Sequence, residues 1–191
     1  MKMNRKEFNK YYRDYVVGVD INDIEFKKFT YKELLDFLKI NYYDDEFNKF
    51  VCWEPDGFMT PFGMYFLDFV PYSEDLSYLL GLASNYKGFK TIVFCMIYDK
   101  NYGPMDEDDK RVGYIDKIET NYFFRNKGVL KKALNYIREI FKDNDVLVLS
   151  PESLDGSAIS ISDMIASLFG EKPMVMDEEE YVDSLVRRQK W

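Results

Sequence analysis

The chain contains no histidine. That absence removes Ser/His and Cys/His nucleophile systems, zinc sites built on imidazole, and the commonest general base. Proton transfer then falls to Glu, Asp, Tyr, Lys, Cys or ordered water. Cysteine is scarce as well: Cys52 and Cys95 are the only two, too few for a disulfide framework or a zinc knuckle, and they are expected as free thiols. With no histidine or motif to activate it, neither is a candidate covalent nucleophile. Excess positive charge is also missing, because 26 Lys and Arg face 34 Asp and Glu, for a net charge of -8 and a pI near 4.8. Such a chain is not expected to bind nucleic acid, which requires a broad positive surface. No apolar run approaches the ~20 residues that cross a bilayer. The N-terminal MKMNRKEFNKYY also lacks the apolar core of a signal peptide. Together these absences predict a cytoplasmic protein with no nucleic-acid or membrane partner and no metal.

What is present is core-forming material. Hydrophobic residues make up 47% and aromatic residues 18% of the 191 positions, enough to exclude disorder and to fit one domain over 1–191. No internal repeat, low-complexity tract or interdomain linker interrupts it.

Residues 1–28 mix aromatics and charges without a period and predict no element. A helix is predicted over Thr30 to Lys39, with Thr30 and Glu33 as a capping box, Phe29 and Leu34 as a hydrophobic staple, and Leu34, Leu35, Phe37 and Leu38 facing inward. Asn41 to Gly57 reads as a loop ending in the turn Glu54-Pro55-Asp56-Gly57. Phe62 to Val70 and Thr91 to Tyr98 read as strands. Between them Ser73 is placed to cap a helix carrying Leu76, Leu79, Leu80 and Ala83 and stopping near Gly88. The acidic run Asp106 to Asp109 reads as solvated surface. Further on, Ser157 to Phe169 predicts a core helix stopped by Gly170, and Lys172 to Met176 a short strand. Asp177 and Glu180 form a second capping box, opening a final helix with Tyr181, Val182, Leu185 and Val186 on one face. That apolar face suits a homodimer contact.

The most informative segment is Gly113 to Leu134, GYIDKIETNYFFRNKGVLKKAL. A strand-like run leads into Arg125-Asn126-Lys127-Gly128. An apolar stripe at helical spacing follows, made of Val129, Leu130, Ala133, Leu134, Ile137, Ile140 and Phe141. Val146 to Leu149 then reads as a strand buried on both faces. A helix N-terminus offers backbone N–H groups without intrahelical partners and a positive dipole end, which suits an anion. Arg125, Lys127, Lys131 and Lys132 surround Gly128, with no acidic residue between 125 and 132.

This segment resembles the cofactor-binding motif of the GNAT N-acetyltransferase superfamily, in which a strand, a Gln/Arg-x-x-Gly-x-Gly/Ala turn and a helix grip the pyrophosphate of acetyl-CoA. Arg125, Asn126, Lys127, Gly128, Val129 and Leu130 occupy the hexad, with Leu130 where the family prefers Gly or Ala. The resemblance covers about residues 90–169. It implies an α/β fold: a mixed, mostly antiparallel GNAT-like sheet flanked by helices, here with an atypical C-terminus in place of two closing strands. It also implies that Ile118, Glu119 and Thr120 run beside the pantetheine arm and that Ser153 touches the cofactor. Glu119, with Asp116 as the lesser choice, would take a proton from a small-molecule or peptide amine that attacks the thioester directly. A backbone N–H near Glu119 or Thr120 would stabilise the oxyanion. Many members place a general-acid Tyr on the helix matching Ser157 to Phe169, which has none here; Ser160 or Ser162 stands near that place, and Tyr122 and Tyr181 are the alternatives. The activity implied is acetyl transfer from acetyl-CoA. A catalytically silent acyl-CoA-binding protein on the same fold is the alternative.

Overall fold

The structure is a computed structural model, and it describes residues 16–42, 52–54, 57–59, 74–88, 90–102, 110–150, 159–170, 173–177 and 179–182. Strand β1, Ile24–Thr30, ends on the residue that caps helix α1, Tyr31–Tyr42. The Thr30 N–H and hydroxyl both donate to Glu33 Oε2, at 2.8 and 2.9 Å, and the Glu33 N–H donates back to Thr30 Oγ1 at 3.3 Å. The predicted capping box is therefore closed in both directions. Leu34 is fully buried. The Phe29 ring meets that of Phe37, with centroids 5.1 Å apart. Strands β2, Cys52–Glu54, and β3, Gly57–Met59, form a separate antiparallel pair that closes with Glu54 opposite Gly57, at the predicted turn. The strand predicted over Phe62 to Val70 lies outside the described residues.

The helix predicted around Leu76 to Ala83 is instead strand β4, Ser77–Ser84. It pairs antiparallel with β1 from Ile24↔Ala83 to Thr30↔Ser77. Leu76, Leu79, Leu80 and Ala83 do fall at helical spacing, but Tyr78 to Ala83 is one unbroken buried run. A short apolar run of that kind suits a strand covered on both faces, and periodicity alone cannot separate the two. Gly81 shows how tightly this strand is covered. A Cβ there would stand 2.9 Å from Phe94 Cβ and 3.0 Å from Phe26 Cε1. Residues 85–89 then lead straight into β5, Lys90–Asp99, a link too short for anything but an antiparallel neighbour.

Strand β6, Val112–Thr120, is followed by helix α2, Val129–Phe141, strand β7, Val146–Leu149, helix α3, Ile159–Phe169, and strand β8, Met174–Asp177. The six-stranded sheet has the order β1-β4-β5-β6-β7-β8, with β6, β7 and β8 running parallel. Parallel neighbours need a crossover, and α2 and α3 supply one each. This is the mixed, helix-flanked sheet that the sequence predicts.

The chain divides into two compact units, Met1–Cys95 with Glu119–Ala133, and Met96–Ile118 with Leu134–Trp191. In the first, Phe26 meets Phe94 edge-on at 5.9 Å. In the second, Tyr98 meets Phe141 at 5.6 Å, and the same Phe141 ring covers Gly113 so closely that a Cβ would lie 2.6 Å from it. Val112, Val146, Val148 and Tyr181 form a further cluster there, with Tyr102, Tyr114 and Met176 packed on it. Gly170, with φ of 66°, ends α3. The second capping box also forms: the Glu180 N–H donates to Asp177 Oδ1 at 2.8 Å and the Asp177 N–H to Glu180 Oε2 at 3.2 Å. Tyr181 is buried and Val182 is 51% exposed; Leu185 and Val186 lie outside the described residues. Among the described residues, no helix is long and apolar enough to cross a membrane.

Candidate functional site

The site begins where β6 outruns its parallel neighbour. The register with β7 runs from Val112↔Val146 to Ile115↔Leu149, while β6 itself continues to Thr120. On its other side β6 stays tied to β5 past its own end. The Asn121 N–H donates to Val93 O at 3.0 Å, and the side-chain amide of Asn121 donates to Ile92 O at 3.0 Å. Asn121 is buried, and it also shapes the chain that follows. Its Oδ1 accepts from the Phe123 N–H at 3.1 Å and its carbonyl from the Phe124 N–H at 2.8 Å, winding Tyr122–Phe124 into a 3-10 turn. Sequence reasoning missed this residue; an Asn directly after a strand is the turn signal that marks it.

From Arg125 to Gly128 the chain is a turn in which Asn126 has φ of 60° and Gly128 φ of 79°. Those left-handed values suit the two residue types that hold them, since glycine has no Cβ penalty and Asn tolerates the region best among the rest. Alternation of right- and left-handed residues gathers successive N–H groups into a concavity that suits an anion. The first bond of α2 is from the Lys132 N–H to Gly128 O, 3.2 Å. The N–H groups of Val129, Leu130 and Lys131 therefore have no acceptor inside the helix. No acidic side chain stands in that first turn. Val129 is buried and anchors the entrance, while Leu130, in the position where the resemblance favours Gly or Ala, is half-buried.

The basic residues divide their tasks. The Arg125 Nε donates to Thr120 O at 3.1 Å, and its Nη2 lies 3.4 Å from Glu119 Oε1. The Lys127 ammonium sits 5.5 Å from the centre of the Phe124 ring, within cation–π range. Lys132 points elsewhere: its ammonium donates to Ile21 O at 2.9 Å and Asn22 O at 3.2 Å, fastening that segment to α2. Residues 16–19 and Ile21, with Phe123, Phe124 and Lys127, line a cavity of about 300 Å³. Nothing in the sequence reading predicts it, although Gly18, with φ of 75°, and the Asp20 carboxylate accepting from the Asn22 N–H at 2.8 Å are turn chemistry legible after the fact.

The structure thus brings Glu119, Thr120 and Arg125 into contact, at the start of the turn that leads through Gly128 into Val129 and Leu130 of α2. Ile118 is buried, and Glu119 is partly exposed, as strand alternation predicts. Asp116 sits three residues before Glu119, its carboxylate 3.5 Å from the Tyr114 hydroxyl, a long contact. Tyr181 is packed in the second unit's cluster. Ser153 and the side chains of Tyr122, Ser160 and Ser162 lie outside the described residues.

Solved N-acetyltransferases are among the structures this chain resembles. An aminoglycoside acetyltransferase from an uncultured soil metagenomic sample, solved with sisomicin, is 14% identical, with TM-score 0.46 over 75% of this chain and 88% of that one. The ribosomal-protein-alanine N-acetyltransferase of Brucella melitensis is 15% identical, with TM-score 0.44 over 75% and 91% of the two chains. An integron cassette protein from the mobile metagenome of V. cholerae is 18% identical, with TM-score 0.45 over 85% and 97%. No family model matches the sequence, and no curated protein is similar to it.

Proposed function

We propose that this protein is an acyl-CoA-dependent N-acyltransferase of the GNAT type, transferring acetyl from acetyl-CoA to a primary amine. The observation that carries the reading is the β6 to α2 turn. Left-handed Asn126 and Gly128 lead into the open end of a helix with no acidic residue in its first turn, beside Arg125 and Lys127, in a chain of net charge -8. Such a concentration of donors suits a pyrophosphate. The residues available fit that group: the backbone from Arg125 to Leu130 would hold its oxygens, with Arg125 and Lys127 adding charge. Ile118 to Thr120, on the stretch of β6 beyond its register with β7, would run beside the pantetheine arm, and Ser153 would add a contact.

When bound, the acyl-CoA supplies an acyl group activated as a thioester. The protein's own contribution is to place an amine beside it and accept a proton. Glu119 is the carboxylate nearest the phosphate turn along β6, and it would take that proton directly or through water. A backbone N–H at Glu119 or Thr120 would stabilise charge on the attacked carbonyl oxygen. The acceptor would be a small-molecule or peptide amine.

Calorimetric titration with acetyl-CoA tests the reading. Saturable binding by the intact chain is expected, weakened at least tenfold when Arg125→Ala is combined with Lys127→Ala. Failure of the folded protein to bind acetyl-CoA or longer acyl-CoAs would remove it. A second reading, a silent acyl-CoA-binding protein, is favoured by the contact of Glu119 with Arg125, which engages the proposed base. Glu119→Gln separates the two, since only an enzyme loses turnover while keeping its cofactor.

A further inference from the structure

The two groups on which the proposed chemistry depends touch each other. Arg125 Nη2 lies 3.4 Å from Glu119 Oε1, while its Nε donates to Thr120 O at 3.1 Å. The backbone bond holds the guanidinium against the end of β6, so the charged fork stays beside the carboxylate rather than swinging into solvent. Glu119 is the more sheltered partner, with its side chain 16% exposed against 49% for Arg125. Partial burial reduces the solvent screening that makes fully exposed pairs nearly worthless. An anion arriving at the entrance of α2 therefore meets opposed neighbours: the guanidinium attracts it, and the carboxylate in contact with that guanidinium repels it. Pyrophosphate and Glu119 are rival acceptors for one cation.

We infer that Glu119 is a positioning residue as well as the proposed base: it competes with the cofactor's phosphates for Arg125, and so sets the cofactor's affinity. With the phosphate turn empty, Arg125 engages the carboxylate. With the turn filled, the guanidinium is drawn toward the phosphates and the carboxylate is released toward the amine. The inference rests on the acyl-CoA reading, but it concerns the protein without any acceptor present and needs no turnover to test.

The test is a double-mutant cycle read by calorimetry, titrating coenzyme A and, separately, pantetheine, which lacks the pyrophosphate. Wild type, Glu119→Gln, Arg125→Gln and the double variant are compared, with Glu119→Ala as a second probe of the same position. Removing the carboxylate is expected to tighten coenzyme A binding about three- to fivefold, the scale of a partly exposed ion pair. The gain should vanish in the Arg125→Gln background, and pantetheine binding should not change. A merely structural Glu119 would give unchanged or weaker binding when removed. Unchanged or weaker coenzyme A binding in both Glu119 variants would overturn the inference while leaving the cofactor reading intact. So would a gain that persists without Arg125 or extends to pantetheine. If the folded wild type does not bind coenzyme A at all, the acyl-CoA reading fails and the inference fails with it.

Discussion

At the scale of single residues, two glycines show how differently the same substitution can act. Gly128 holds φ of 79° with no atom within 4 Å of where a Cβ would stand. Gly128→Ala should therefore cost only the backbone term, about 1–2 kcal/mol, seen as a lower denaturant midpoint, together with weaker acetyl-CoA binding if the proposed function holds. Gly113 has ordinary backbone but no room, since a Cβ there would meet the Phe141 ring at 2.6 and 2.7 Å. Gly113→Ala should cost about 1–3 kcal/mol through overpacking and leave the turn from Arg125 to Gly128 untouched. A loss at Gly113 well below about 1 kcal/mol in urea titration would contradict overpacking as its cause. Neither cost is visible in the sequence alone, where one is simply a glycine between Val112 and Tyr114 and the other a glycine between Lys127 and Val129. The partners of Asn121, at Ile92 and Val93, are equally invisible there because the chain brings them together from far apart.

At the scale of elements, what the sequence predicts well is what is local. Both capping boxes join residues three apart, and both form. Asp177→Ala should lower stability by about 1 kcal/mol, read as a drop in urea midpoint, because it removes the acceptor of the Glu180 N–H. Glu33 makes a pH-dependent case. The Thr30 backbone N–H, then the Thr30 hydroxyl, hold its carboxyl below the ordinary 4.5. A carboxyl whose folded pKa is depressed adds stability that is complete above its unfolded value and is lost as pH falls through the folded one. The stability difference between wild type and Glu33→Gln should accordingly be constant near neutrality and shrink below pH 4.5. A difference unchanged down to pH 3 would show that the carboxylate contributes nothing. The β4 segment marks the limit of local reading. Leu79 to Ala83 satisfies helix and strand patterns alike, and pairing with β1 selects the strand.

At the scale of the whole molecule, burial of Cys95 offers a direct check. It is in no disulfide and is 2% exposed, on β5. In a Cys52→Ser background it should resist a thiol reagent in native buffer and react in step with urea unfolding. Rapid labelling under native conditions would mean that β5 opens far more easily than its position between β4 and β6 requires.

By itself, the sequence determined what short-range chemistry can determine. The absence of histidine narrowed the possible catalysts, helical periodicity placed α2, and the two capping boxes placed helix starts. Arg125 to Gly128 located the turn that opens α2. Tertiary structure alone decided that residues 77–84 are a strand, that Lys132 is spent on Ile21 and Asn22, and that Arg125 turns back onto Glu119. The reason is physical. A cap or a helical stripe is settled within a few residues, whereas a strand needs its neighbour and a charged side chain takes the partner that folding brings within reach.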